Sequence, residues 1–285
     1  MNPNQVDLRR LQRVRWIIYA LVAMAVVFPY IVPLPLPFKA SKEATQVYEK
    51  LDSLKPGDHV LLAFDYDPAS EAELYPMSLA LLRHCYKKGV IPVVMTHWDT
   101  GIGLAKKACD DAVADANSMW GKQIVSGEDY VFLGYRPGMS NLVLKMGEDL
   151  KGAFEKDYAG QPTRGMKALE GVKTLKDFKL MVDLAAGASV EMWIAFGADR
   201  AGIPMATGTT AVMAPDLYPF YQSKQLLGFL GGLRGAADYE KLLDISGKAT
   251  SGMQAQSVTH VLIILLILGA NFRMLVRHFH GKERD

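Results

Sequence analysis

His59-Val60-Leu61-Leu62-Ala63-Phe64-Asp65-Tyr66-Asp67 is an apolar run that ends in two acids and leads into a helical pattern. A run of this length, delivered by the turn residues Lys55-Pro56-Gly57-Asp58, is how a βαβ unit opens, with its strand buried on both faces. Downstream, Ser70-Glu71-Ala72-Glu73 has the form of a capping box, in which Ser70 accepts from an orphan backbone donor and Glu73 reaches back. Alternatively Pro76 is the first helical residue and the acids sit in an approach loop. In either case Gly89 ends the helix.

The same grammar repeats. Residues 90–95 form a second strand, 103–120 a second helix closed by Gly121, 130–134 a third strand and 139–154 a third helix. Strand-helix units in series imply a parallel sheet with right-handed crossovers, so the expected fold class is α/β, a Rossmann-like, mostly parallel sheet with flanking helices. Upstream, the spacing of Val47, Leu51 and Leu54 makes 41–54 a helix that serves as a stem. Residues 155–176, with Gly160, Pro162, Gly165 and Gly171, break the rhythm as a functional or partner-facing loop. Residues 178–185 read as a fourth strand, 190–196 as a short helix or strand, and 203–213 as a fifth strand.

Of the 285 residues 50% are hydrophobic and 22% charged, and the formal net charge is +2, which fits neither a disordered chain nor a nucleic-acid partner. The charge is unevenly placed. Arg9, Arg10, Arg13 and Arg15 precede an uncharged stretch from Trp16 to Leu36, and Arg273, Arg277, Lys282 and Arg284 mark the end of a second apolar run that starts near Val258. About 20 apolar residues are what a helix needs to cross a bilayer. The first run is long and ends in Pro29, Pro33, Pro35 and Pro37 rather than in a small-residue cleavage site, so it reads as an uncleaved anchor. The organisation expected is thus a tail (1–15), a span (16–37), a domain (38–256), a second span (257–276) and a tail (277–285). Positive-inside logic puts both termini in the cytoplasm and the domain on the opposite side, the periplasm if the chain sits in a bacterial inner membrane. Tails this short are too small to fold as output domains.

Residues 222–243 carry Gly228, Gly231, Gly232 and Gly235, whose four-residue spacing would strip one helix face of side chains and form a packing interface. That face would pack inside the domain, against another subunit, or at the membrane surface.

Parallel sheets place their sites beyond the carboxyl ends of the strands. There the sequence puts Asp65 and Asp67, then Thr96, His97, Trp98 and Asp99, then Tyr135 and Arg136, and Asp183 near the end of the fourth strand. As a candidate crevice, Asp65, Asp67, His97, Asp99 and Arg136 offer carboxylates and an imidazole for a cation, or a guanidinium for an anion. The plainer alternative is that Asp65 and Asp67 close the turn and favour the following helix N-terminus, that His97 and Trp98 are a loop residue and a half-buried indole, and that Arg136-Pro137-Gly138 is a turn.

Asp65-x-Asp67 after an apolar strand resembles the first motif of the haloacid-dehalogenase-type phosphohydrolases, and Thr96 resembles their second. That resemblance implies a nucleophilic Asp65 and a general acid at Asp67 beside Mg²⁺. The sequence departs from the pattern at Pro68-Ala69-Ser70 and has no clear lysine motif followed by an acidic pair. CxxC, HExxH, P-loop, GxSxG and dinucleotide fingerprints are absent, and no cofactor is specified. Cys85 and Cys109 fall in consecutive helices, where a disulfide is one option.

Three functions fit. The first is a non-catalytic subunit of a larger membrane complex, with the bilayer and other subunits or its own copies as partners. The second is a membrane-tethered ligand-binding or sensing module. The third is a metal-dependent phosphohydrolase using the strand-end aspartates.

Overall fold

In a computed structural model that describes residues 8–32 and 39–282, six strands form one sheet in the order β3-β2-β1-β4-β5-β6, and every neighbouring pair is parallel. The strands are β1 (His59–Asp65), β2 (Ile91–Thr96), β3 (Val131–Tyr135), β4 (Leu180–Ala185), β5 (Met205–Thr209) and β6 (Phe229–Gly231). Strand order 3-2-1-4-5-6 is the Rossmann order, and its direction reverses between β1 and β4.

Two compact units are present, Lys39–Thr250 and a second made of Met1–Phe38 with Ser251–Asp285. The sheet belongs to the first. Its helices on one side are α2 (Lys42–Asp52), α3 (Glu71–Lys88), α4 (Ile102–Trp120) and α10 (Gly232–Leu242), with α3 packed on both α4 and α10. The other side carries α5 (Ser140–Glu148), α6 (Leu150–Ala153), the helix that runs from α7 (Ser189–Met192) through a π-helical stretch Trp193–Ala198 into α8 (Asp199–Ala201), and α9 (Tyr218–Gln222). The strand register explains that second core. Val131, Val93, Leu61, Met181 and Met205 align across five strands as one row of side chains, buried with Val143, Met146, Phe154 and Trp193.

Several local expectations change. Ser70 makes no capping bond through its side chain, and Asp67 instead caps a 3-10 turn, Pro68–Ser70, by accepting from Ala69 N at 3.1 Å. Pro76 then lies inside α3, not at its start. Residues 139–154 divide into α5 and α6, and 190–196 is helical. The glycine-rich stretch 222–243 is not one helix: Gly228 precedes β6, Gly231 ends it, and only Gly232 and Gly235 belong to α10. The helix face proposed for Gly228, Gly231, Gly232 and Gly235 therefore does not exist. Their shared need is close backbone approach, since a Cβ on Gly228 would stand 2.4 Å from the Glu43 carbonyl and one on Gly235 would stand 2.7 Å from Leu230 backbone. Cys85 and Cys109 are buried free thiols.

In the second unit, α1 (Leu8–Ile31) and the greater part of α11 (Lys248–Lys282) are long apolar helices. Their candidate spans, Leu11–Ile31 and Lys248–Val276, have mean hydropathy 1.9 and 2.0, long and apolar enough to cross a membrane. Trp16, Ile17, Phe28, Leu265, Leu268 and Phe272 are all exposed along them. The final helix starts nine positions ahead of residue 257 and Pro29 sits within the first helix rather than ending it. Pro33, Pro35, Pro37, the tail residues 1–7 and Arg284 lie outside the described residues.

Candidate functional site

Asp65 is the last residue of β1 and is fully buried. Parallel pairing sets the β2–α4 turn beside it, and that turn supplies its donors. Oδ1 accepts from the His97 backbone N at 2.6 Å and Oδ2 pairs with His97 Nδ1 at 2.9 Å, so one carboxylate holds both donors of a single residue. Trp193 Nε1 donates to the same Oδ2 at 3.4 Å, and the Trp193 ring meets the imidazole edge-on at 5.2 Å. With its proton on Nδ1, the imidazole presents Nε2 as an acceptor. That atom is buried and has no hydrogen-bond partner among the described residues.

Asp183 joins the cluster through register. It pairs with Ala63 in β1, two residues before Asp65, so the two acids are diagonal neighbours on one face of adjacent strands. Its Oδ2 accepts from Ser189 Oγ at 2.9 Å, whereas Oδ1, also buried, has no hydrogen-bond partner among the described residues. Burial first, and the Asp65 carboxylate second, push Asp183 well above the usual carboxylate range. The cluster is two buried carboxyl groups, with an imidazole and an indole that both meet the Asp65 carboxylate. Two of its polar atoms are unmatched.

The remaining predicted residues go elsewhere. Asp67 caps the 3-10 turn, Asp99 is exposed and accepts from Thr100 N at 2.8 Å, and Arg136 is exposed with no ion pair among the described residues. Thr96 Oγ1 closes its own turn, accepting from Trp98 N at 3.0 Å and donating to Trp98 O at 3.2 Å. Of the five crevice residues, the structure brings together Asp65 and His97 only. No group of three or more His, Cys, Asp or Glu side chains able to hold a metal is found among the described residues.

The residues do not fit the Mg²⁺ centre that the phosphohydrolase resemblance implies. Asp65 Oδ1 and Oδ2 are taken by His97 and Trp193, and the Asp67 carboxylate is folded back on its own backbone. A nucleophilic carboxylate needs an accessible lone pair, and Asp65 is fully buried.

Sequence reading missed Trp193 and Ser189, both on the helix after β4. The signal for Ser189 was its place beyond the strand end. Trp193 had none, because its position depends on the π-helical stretch and on Gly197, where a Cβ would stand 2.7 Å from the indole ring.

No protein-family model matches the sequence, and no curated protein matches it. Among solved structures, a shikimate 5-dehydrogenase from Listeria monocytogenes in complex with shikimate and NAD is similar over 77% of this chain and 62% of its own, at 11% identity and TM-score 0.30. A trehalose-6-phosphate synthase is similar over 85% of this chain and 45% of its own, at 10% identity and TM-score 0.29. The chain therefore spans less than two thirds of the length of either protein, and the likeness carries no argument about activity.

Proposed function

We propose that this chain is a non-catalytic subunit of a larger membrane assembly, held in the bilayer by α1 and α11, with its Rossmann-like domain outside the cytoplasm. The observation that carries the reading is the condition of the strand-end groups: the chain's own donors occupy Asp65, and Asp67 and Thr96 close turns. A crest engaged in this way serves as a scaffold. The anchors support the rest, since both chain-end helices expose long apolar side chains that water would solvate poorly and that lipid or neighbouring subunits would cover. Arg9, Arg13 and Arg15 at one end and Arg273 at the other agree with cytoplasmic termini and a periplasmic domain in an inner membrane.

A second reading, a tethered ligand-binding module, draws on one observation: His97 Nε2 and Asp183 Oδ1 are buried polar atoms without partners among the described residues. Such atoms cost free energy unless something meets them.

The native mass of the gently solubilised chain with its co-purifying proteins, taken together with metal and small-molecule analysis of the same sample, separates these readings. A large hetero-assembly with no stoichiometric ligand is expected. A monomer or small homo-oligomer carrying a bound molecule would overturn the subunit reading and favour the second.

A further inference from the structure

Asp238, Tyr239 and Glu240 are consecutive residues of α10, all polar in part and all buried. Each fastens a different element. Asp238 Oδ2 accepts from Ser41 N at 2.9 Å, at the start of α2, the first helix of the domain after α1 in the chain. Arg234 reinforces this end, with Nε on Asp238 Oδ1 at 2.7 Å and its guanidinium on Lys39 O at 2.9 Å. The Tyr239 hydroxyl bonds His84 Nδ1 of α3 at 2.8 Å, and His84 in turn stacks on Tyr48 of α2. Glu240 takes the other chain-end connection, accepting from Gly247 N at 3.1 Å, Ala249 N at 3.2 Å, and Thr250 N and Oγ1 at 2.8 and 2.7 Å. Those are the first donors of α11, where an acid satisfies orphan N–H groups and favours the helix dipole.

The other end of α10 touches the loops beyond the strand ends. Gly232, at φ +58°, is wedged so tightly that a Cβ would stand 2.7 Å from Ala211 Cβ and 2.8 Å from Glu73 Oε2. Glu73 also accepts from Ala211 N at 2.8 Å, which binds the β5 exit loop to the first turn of α3 at the point where α10 begins. Helical rise puts Asp238 about 9 Å farther along α10 than Gly232. One short helix therefore abuts the strand-end loops at its start and grips the connections to both chain-end helices in its last two turns.

We propose that α10 is a joint that carries displacement of the strand-end loops at Glu73 and Ala211 to both membrane-linked helices at once, through Asp238 and Glu240. This rests on reading α1 and α11 as spans. A helix is stiff along its axis, and the start of α10 lies so close to the β5 exit loop that not even a Cβ would fit between them at Gly232. A partner or ligand that moves the β5 exit loop is thereby felt at Ser41 and at Thr250 together.

The test is amide hydrogen exchange of the full chain in phosphatidylcholine–phosphatidylglycerol nanodiscs, followed at Ser41, Ala249 and Thr250. In Glu73→Ala, exchange at all three is expected to quicken at least tenfold, while amides of β1 and β4 keep their rates. Asp99→Ala, which alters an exposed residue of the β2–α4 turn, is expected to leave the three unchanged. Glu240→Gln should quicken Ala249 and Thr250 alone, and Asp238→Asn should quicken Ser41 alone. If Glu73→Ala leaves the three amides at wild-type rates, Asp238 and Glu240 are separate caps and the joint is overturned. If Glu73→Ala quickens the β1 and β4 amides equally, Ala211→Gly decides, because it keeps the Glu73 bond and removes only the methyl packed on Gly232. No change in that variant also overturns the joint. Failure of the chain to sediment with membranes would refute the anchoring instead, whatever the exchange rates.

Discussion

Replacing Asp65 with Asn tests whether the strand-end carboxylate is a scaffold group, because the shape is kept and only the charge and one acceptor are lost. Three donors converge on Asp65, at 2.6, 2.9 and 3.4 Å. An asparagine oxygen can satisfy one side of that set, and its NH₂ then faces N–H groups on the other. A hydrogen bond to a charged partner contributes about 1.5–3 kcal/mol, and a buried donor left unmet costs about 1–3 kcal/mol. The gross loss is thus about 3–5 kcal/mol, as for other broken buried pairs. Part returns through Asp183, which no longer lies beside a negative charge, at about 1.4 kcal/mol for each unit by which its pKa falls. A net loss of about 2–3 kcal/mol in a domain of this size lowers Tm by about 4–12 °C. Tryptophan fluorescence melting of the full chain in mild detergent reads this directly, since Trp193 is buried against the cluster. Asp67→Asn, which weakens only an exposed turn cap, is expected to cost about 1 kcal/mol or less. An Asp65→Asn protein that melts within a degree of wild type, or above it, would refute the assignment of the carboxylate as a structural anchor.

Asp183→Asn should flatten the pH dependence of stability: a carboxyl raised in the fold gives full stability below its unfolded pKa of about 3.9 and loses it as pH rises toward the higher folded value, which denaturation from pH 4 to 8 will show. His84 behaves in the opposite sense. Burial lowers its pKa to about 4 against the pull of Asp52, so about 3 kcal/mol is lost as pH falls from about 6.5 to 4, and His84→Gln should remove that slope in urea titrations. Gly228→Ala should destabilise the domain by driving a Cβ against the Glu43 carbonyl at 2.4 Å, whereas Gly103→Ala, with nothing within 4 Å, should be neutral or slightly stabilising in the same melt.

The parts of the fold legible in the sequence are those where local pattern and burial agree. β1 to β4 are parallel strands buried along all but an end residue, and such strands read as largely apolar runs. β5 is harder because Thr207 and Thr209 lie buried within it, each bonding to a carbonyl of β4, so its polarity resembles a turn. β6 is three residues long in a segment whose glycine spacing suits a helix face equally well. What decides between them is tertiary, the need for Gly228 to pass the Glu43 backbone, and no sequence window contains both partners. The same limit governs the site. The rule that parallel sheets gather polar groups beyond strand ends found Asp65 and His97, but side-chain direction was not readable, and Asp67 and Thr96 turned back to their own backbone. Nothing local singled out Asp238 and Glu240, since the donors that meet them come from Ser41, on the far side of the sheet in sequence, or from the start of α11 beyond the helix that carries them.

Asp183 gives the sharpest test of what the cluster is for. A carboxyl buried beside a second one and pushed well above its usual range is costly to keep at neutral pH, and an amide or a leucine of similar volume would avoid that cost. If Asp183→Asn is more stable at pH 7 and leaves any assembly intact, the acid has no structural necessity there. The pair Asp183 Oδ1 and His97 Nε2, a buried carboxyl oxygen and a buried acceptor nitrogen without partners among the described residues, is then held against stability, as functional groups often are. If the variant is less stable at pH 7, the Asp183 carboxyl itself is a structural group beside Asp65, and the cluster is a scaffold.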